Sequence, residues 1–386
     1  MIAWFRYICL IVSLIITLPE LLSAQRLVSQ RQEDVEAGLL YNESVYILSN
    51  YSCLSSNSPE KLSLDELLRK QIEGFYFYLK RDTETNVLLL RKPDGTFTPF
   101  SESLEAIKTA LDADSTKVMT LFLDFYVETE LESSFKEIGL MEYVLEYDTK
   151  NGWPSLKDML SSGKRLVVFE VQKHLNSPSW LHNMRDFVEH TDADWGNQPE
   201  GVESFDERLK KNLSLFTGYK FLETSRGNSN DISALARQTP YLIESFKRAW
   251  IRDGRVPNFV LVDKYYAWLD VSLVTFRNFD IIYGAVTNNN ELLNYVNWDG
   301  MSNYTTGKYC FPLEPGAELM LSPISPGYRI EPATVYISGT QRKAFASDFK
   351  ARPLRIDEDI EIYLPFEGDE KDGSSNHNLT VSRNVE

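Results

Sequence analysis

Between Val45 and about Gly284 the chain alternates short apolar runs, rich in β-branched and aromatic residues, with longer segments of helical spacing. That pattern predicts a parallel sheet, because neighbouring parallel strands must be joined by a crossover and a helix is the usual one. The strand candidates are 45–48, 75–79, 87–90, 118–125, 165–170, 214–221, 258–263 and 280–283. Eight such runs predict an α/β fold, a TIM-type (β/α)8 barrel closed by the run near Ile282. An open doubly wound sheet is the competing arrangement, but no glycine-rich phosphate loop follows any of these runs. In the middle of the barrel, Trp153-Pro154 opens a helix with Leu156, Met159 and Leu160 on one face; Gly163 ends it and Arg165 to Glu170 reads as a buried strand.

After Trp298 the texture changes to turn residues and short strands, with Gly316, Pro323, Gly327 and Gly339 between runs such as 334–337 and 360–364. This predicts a small antiparallel β module over 298–366. The polar tail 367–386 is expected to be disordered. At the other end Arg6 precedes an uncharged apolar run from Tyr7 to Leu18, and Ser23-Ala24 supplies small residues before Gln25. Residues 1–24 therefore read as a signal peptide, too short in apolar length to cross a bilayer, with an uncleaved anchor as the alternative. The organisation expected is signal peptide 1–24, lead-in 25–41, barrel 42–297, β module 298–366 and tail 367–386. The protein is then secreted, extracellular or periplasmic.

Charge narrows the partners. The formal net charge is −16, and Arg6 and Glu20 of the leader cancel, so the excess belongs to the mature chain. That argues against unspecific binding to nucleic acid or anionic lipid, and no later stretch is apolar enough for stable membrane insertion. Of three cysteines, Cys9 lies in the leader. Cys53 and Cys310 remain as a disulfide pair or as two buried thiols. Asn42, Asn50, Asn212, Asn303 and Asn378 each begin a glycosylation sequon, which carries a glycan only in a host that glycosylates secreted proteins.

Three segments carry a family resemblance. Val118 to Val127 (VMTLFLDFYV) places an acidic residue at the end of an apolar run; Trp153 to Leu160 (WPSLKDML) is followed by Gly163 to Phe169 (GKRLVVF); Pro257 to Asp263 (PNFVLVD) comes last. In this order they resemble the phospholipase C X-domain superfamily, the phosphatidylinositol-specific phospholipases and related phosphodiesterases. The likeness spans roughly 45–288 and leaves the β module and tail outside. It implies a barrel that cleaves the phosphodiester of an inositol phospholipid by general acid–base chemistry, one histidine at the first strand taking a proton and another near the third giving one.

This chain has no histidine before His174. Where the family carries Thr-His-Asn-Ser, the chain has Ser49-Asn50-Tyr51-Ser52, and an amide does not accept a proton under working conditions. Near the third strand Leu89-Leu90-Arg91-Lys92 stands for the apolar-apolar-His-Gly pattern, and a guanidinium holds phosphate without shuttling protons. Tyr76, Tyr78 and Lys80 alternate onto one face of the second strand, where the family binds metal, phosphate or inositol. Of the carboxylates that calcium would need, Asp124 alone falls on a matching position, so neither calcium nor another cofactor is expected. His174, His182 and His190 read as loop residues in a polar connection. Asp124, and the group Asp263, Tyr265 and Tyr266, each serve either as ligand contacts or as loop structure.

The reading that results is a catalytically degenerate phospholipase C-like barrel with no catalytic residue in the family's places. Its mouth offers Tyr76, Tyr78, Lys80, Arg91, Asp124, Lys220, Asp263 and Tyr265 to a polyol, a sugar phosphate or a protein. Two others stand beside it. One is an active phosphodiesterase with replaced groups, Asp124 or Tyr78 as base and Lys80 or Arg91 on the phosphate. The other is an adhesion or carbohydrate-binding protein working through Tyr309, Phe311, Tyr328 and Tyr336 of the β module, residues that serve equally as that module's core.

Overall fold

The computed structural model describes residues 32–53, 63–70, 72–125, 131–147, 150–172, 174, 177–192, 215–219, 247, 250–251, 254, 256–262, 277–300, 304–338 and 342–355. The leader, the tail, Lys220, Asp263, Tyr265 and Tyr266 lie outside them. Two compact units emerge, one within Met1–Lys247 and Val256–Phe279, the other within Arg248–Arg255 and Asp280–Glu386.

In the first unit the strands are β1 (Tyr46–Ser49), β2 (Gly74–Arg81), β3 (Leu88–Arg91), β4 (Phe97–Pro99), β5 (Met119–Asp124), β6 (Leu166–Glu170), β7 (Leu181–Asn183), β8 (Val188–Asp192), β9 (Leu215–Tyr219) and β10 (Phe259–Val262). Eight of them form one parallel path, β7-β6-β5-β2-β1-β10-β9-β8. Because β10 pairs with β1, Tyr46 opposite Phe259, the last strand of the unit lies beside the first. Chain order is thus kept around the sheet, as in a (β/α)8 barrel. Only the junction of β7 with β8, which the short helix Met184–Phe187 joins in sequence, carries no ladder among the described residues.

Two expected barrel strands are something else. The run 87–90 is β3, antiparallel to β2 and continued by β4. Its connection is a tight turn, Asp82 N–H donating to Val87 O at 2.9 Å with Asn86 at φ 62°, and so short a link permits only an antiparallel return. The run 280–283 does not close the barrel; it opens β11 (Asp280–Asn288) of the second unit. Their places are taken by β7 and β8. Both are short and carry His182, Asn183, Glu189 and His190, so neither shows the apolar run that marks a buried parallel strand.

Aromatic rings fill the interior. Phe122 stacks on Phe169 at 5.1 Å and meets Phe259 edge-on at 5.2 Å, and Phe169 lies 6.1 Å from Phe259 although β6 and β10 are not neighbours. Tyr41 supports this layer from Tyr46 and Trp153 and hydrogen-bonds Thr120 through its hydroxyl at 2.6 Å. Burying each such ring contributes about 1.5–3 kcal/mol before entropy is counted. On the alternate positions of β2, Phe75 and Phe77 stack at 5.3 Å, and Phe77 packs on Phe100, the first residue of the helix Phe100–Ala113. Gly74 lets β2 and β5 approach: a Cβ there would collide with the Thr120 carbonyl oxygen.

The expected helix after Trp153-Pro154 is Leu156–Ser162, capped by Ser155, whose hydroxyl accepts from Asp158 N–H, and ended by Gly163 at φ 74°.

The second unit contains β11, β12 (Glu291–Leu292), β13 (Val296–Trp298), β14 (Tyr304–Thr305), β15 (Lys308–Leu313), β16 (Glu318–Leu321), β17 (Pro323–Ile324), β18 (Tyr328–Glu331), β19 (Val335–Ser338) and β20 (Lys343–Pro353). Its pairings are antiparallel except for β11 with β20, which is parallel. Trp298, Tyr309, Phe311 and Phe349 form its core with Ile282 and Val286.

Candidate functional site

The C-terminal ends of barrel strands are where loops converge and where a site is sought. Asp124 ends β5 there. Tyr76, on the neighbouring β2, donates its hydroxyl to Asp124 Oδ2 at 2.7 Å, and Gln172, two residues beyond β6, reaches Asp124 Oδ1 at 3.4 Å. Asp124 shares the face of Phe122, the interior face, by strand alternation. Tyr78 lies directly across the ladder from Asp124. Its backbone N–H donates to Ser52 Oγ at 2.8 Å, and Ser52 Oγ donates to the Arg91 carbonyl at 2.9 Å, so one serine ties the loop after β1 to both strands of the hairpin.

The sequence-predicted residues therefore separate. Tyr76, Tyr78 and Asp124 come together where the pairing of β2 with β5 ends. Lys80 is exposed, its ammonium 3.7 Å above the Phe97 ring, and Arg91 is exposed on β3, so both belong to the hairpin. Asn50 follows β1 immediately and is half-buried. Next to it, burial and then the charges of Asp94 and Asp65 push the Tyr51 phenol up to about 12, which keeps it neutral. Lys220, Asp263 and Tyr265 lie outside the described residues.

A second polar cluster escaped the sequence reading. Glu170, the last residue of β6 and fully buried, accepts from Asn183 Nδ2 at 3.2 Å and Ser177 Oγ at 2.6 Å, and pairs with His174 Nδ1 at 2.9 Å. His174 is not a solvated loop residue: its side chain is 11% exposed and its ring stacks on Phe125 at 4.4 Å and 5°. His182 is no loop residue either. It sits on β7 among Trp153, Phe169 and Phe187, and burial holds its pKa below the ordinary histidine value despite the Leu145 carbonyl at 3.2 Å. His190 lies on β8. The signal available in the sequence was Glu170 itself, a carboxylate ending an otherwise apolar strand with a histidine four residues on.

In the second unit the Cys310 sulfur is buried and accepts from Trp250 Nε1 at 3.0 Å. Tyr309 and Phe311 are core, and burial pushes the Tyr309 phenol up; Tyr336 is 78% exposed. Among the described residues no group of three or more His, Cys, Asp or Glu side chains is placed to hold a metal ion, and no helix is long and apolar enough to cross a membrane.

A parallel α/β barrel with a tyrosine–carboxylate pair at the C-terminal ends of its strands is the class these observations define. Residues 90–199 match the family described as PI-PLC X 1. The matched segment begins after β1 and β2, so Asn50 and Tyr76 fall before it. No curated protein sequence matches. Among solved structures, the phosphatidylinositol-specific phospholipase C of Listeria monocytogenes is 12% identical, covering 63% of this chain and 98% of its own, with a TM-score of 0.39. That of S. aureus is 13% identical, covering 60% and 93%, with a TM-score of 0.36. A calcium-dependent phosphoinositol-specific phospholipase C from a Pseudomonas sp. is 11% identical, covering 48% and 68%, with a TM-score of 0.27.

Proposed function

We propose that this phospholipase C-like barrel binds a polyol or a phosphate ester of one at its mouth and does not turn over inositol phospholipids by the two-histidine route. The observation that carries the reading is the Tyr76–Asp124 hydrogen bond, completed by Gln172 on the other carboxylate oxygen. A carboxylate engaged on both oxygens presents a phenol and an amide to the mouth, groups that exchange hydrogen bonds with vicinal hydroxyls and stack on a polyol face. Asn50, directly after β1, cannot serve as a base, and Arg91, the exposed last residue of the hairpin strand β3, cannot serve as an acid. Residues 1–24 direct the protein out of the cytoplasm in this reading, and the acidic chain does not insert into membranes.

The test pairs two measurements on the full chain. Titration calorimetry with myo-inositol and myo-inositol 1-phosphate is expected to give saturable binding that Asp124→Ala abolishes. Labelled phosphatidylinositol vesicles are expected to release no diacylglycerol. Rapid release would sink the degenerate reading, and no binding of either polyol would sink the ligand.

A further inference from the structure

The first residues after β6 cross the end of β5 and touch both of its sides. Val171 N–H donates to the Leu123 carbonyl at 2.9 Å, extending the ladder by one bond. Gln172 then meets Asp124, while His174 stacks on Phe125. Consecutive residues of a strand project to opposite faces, so Gln172 grips the interior side of the β5 terminus and His174 the exterior side. On the exterior side three described side chains converge on Glu170. His174, Ser177 and Asn183, drawn from the connection and from β7, meet its two carboxylate oxygens at 2.9, 2.6 and 3.2 Å. The side chain of Glu170 is 2% exposed, and a carboxylate so buried is tolerated where hydrogen-bond donors surround it. Removing it would leave the three donors without their acceptor.

Neither Glu170 nor His174 touches the polar face of the mouth, and the family's proton-transfer positions lie on other strands. What the cluster does is fix where the chain leaves β6. We propose that Glu170 is a positioning residue for the mouth: by gathering His174, Ser177 and Asn183 it straps the segment after β6 across the β5 terminus and so holds Gln172 against Asp124. This rests on the mouth being the ligand site, as proposed above. Through the strap, a residue that never meets the ligand sets its affinity.

The test uses the full chain and myo-inositol 1-phosphate. Glu170→Ala is expected to weaken binding about tenfold, the size of one good hydrogen bond. Gln172→Ala is expected to do the same. In a Gln172→Ala background, Glu170→Ala should cost nothing further, because the two act through one contact, and a purely structural role for Glu170 would give additive losses instead. Glu170→Gln, which keeps an acceptor and the volume, should recover part of the affinity. A second readout is independent of the ligand: amide exchange at Val171 and Gln172 should be slow in the native protein and at least tenfold faster in Glu170→Ala, with thermal melting showing that the barrel still folds. Additive affinity losses, or unchanged exchange at Val171 and Gln172, would overturn the strap. If the native protein binds no polyol, the ligand reading falls, and the exchange measurement alone decides the strap.

Discussion

The Tyr76 hydroxyl and the Asp124 carboxylate meet at 2.7 Å across the neighbouring strands β2 and β5, on the interior face of the sheet. Tyr76→Phe keeps the ring and removes the donor. The expected cost in folding stability is about 1 kcal/mol, the net value of one such bond, read as a shift in the urea midpoint. Polyol affinity should fall with it, since Asp124 then turns toward Gln172 alone. An affinity equal to that of the native protein would place the ligand elsewhere.

Arg165, just before β6, holds the far end of the unit together. Its guanidinium donates to the carbonyls of Asp114 at 2.6 Å, Lys117 at 3.0 Å and Leu111 at 2.9 Å, and lies 5.1 Å above the Tyr143 ring. The Leu111 and Asp114 carbonyls end the helix Phe100–Ala113, where backbone acceptors lack intrahelical partners, and the Lys117 carbonyl belongs to the link into β5. Arg165→Met keeps much of the stem and loses all three bonds, and is expected to destabilise by about 2–4 kcal/mol in chemical unfolding. Arg165→Lys should recover only part of this, because an ammonium has no planar fork to span three acceptors.

How much of this could be read in the sequence depended on how far each signal was local. The helix before β6 was legible because Gly163 and the apolar positions 156, 159 and 160 are consecutive facts about one stretch of chain. Strands β5, β6 and β10 were legible because each is a single apolar run. β7 was not, since it borrows its burial from neighbours: His182 is apolar in effect only because Trp153 and Phe169 surround it, and β8 carries Glu189 and His190 where an apolar run would be expected. The Tyr76–Asp124 pair was anticipated as two members of one mouth, from strand ends alone. The Glu170 cluster was not, because nothing in a polar connection says which of its side chains turn back onto the strand.

His182 gives the fold a pH dependence whose sign follows from its burial. Its pKa in the folded protein lies below the ordinary value of about 6.5, chiefly through desolvation. Between the two values the unfolded chain binds more protons than the folded one, so stability rises with pH. The contribution is complete above about pH 6.5 and is lost as pH falls through the folded value. Melting temperature should therefore drop between pH 7 and pH 5, and His182→Phe, which suits the aromatic surroundings, should flatten that slope. A slope unchanged by the substitution would assign it to other groups.

Gly74 permits the close approach of β2 to β5, its Cα facing the Thr120 carbonyl oxygen and the Leu48 side chain. Gly74→Ala must move a backbone atom of the central sheet to relieve the contact. An alanine at a permissive strand position is usually stabilising by roughly 0.5–1 kcal/mol, whereas here a loss of about 2 kcal/mol or more is expected. Differential scanning calorimetry of the variant checks it, and an unchanged transition would show that the sheet opens at this point without cost.

Phosphatidylinositol cleavage is expected to be absent, or at least about a thousandfold below that of an active phospholipase C, because loss of an acid–base group typically removes roughly two to four powers of ten. Restoring histidines by Asn50→His together with Arg91→His is expected to raise the rate less than about tenfold. The geometry gives the reason. Asn50 is half-buried after a barrel strand, but Arg91 lies exposed on the antiparallel hairpin, so an imidazole there faces solvent. A proton-transfer group contributes only when held within hydrogen-bond reach of the reacting oxygen. Vesicle assays of the double variant, with diacylglycerol as the product measured, decide the matter. A gain of a hundredfold or more would mean that only the two histidines were missing, and that the barrel mouth still orients an inositol phospholipid for attack.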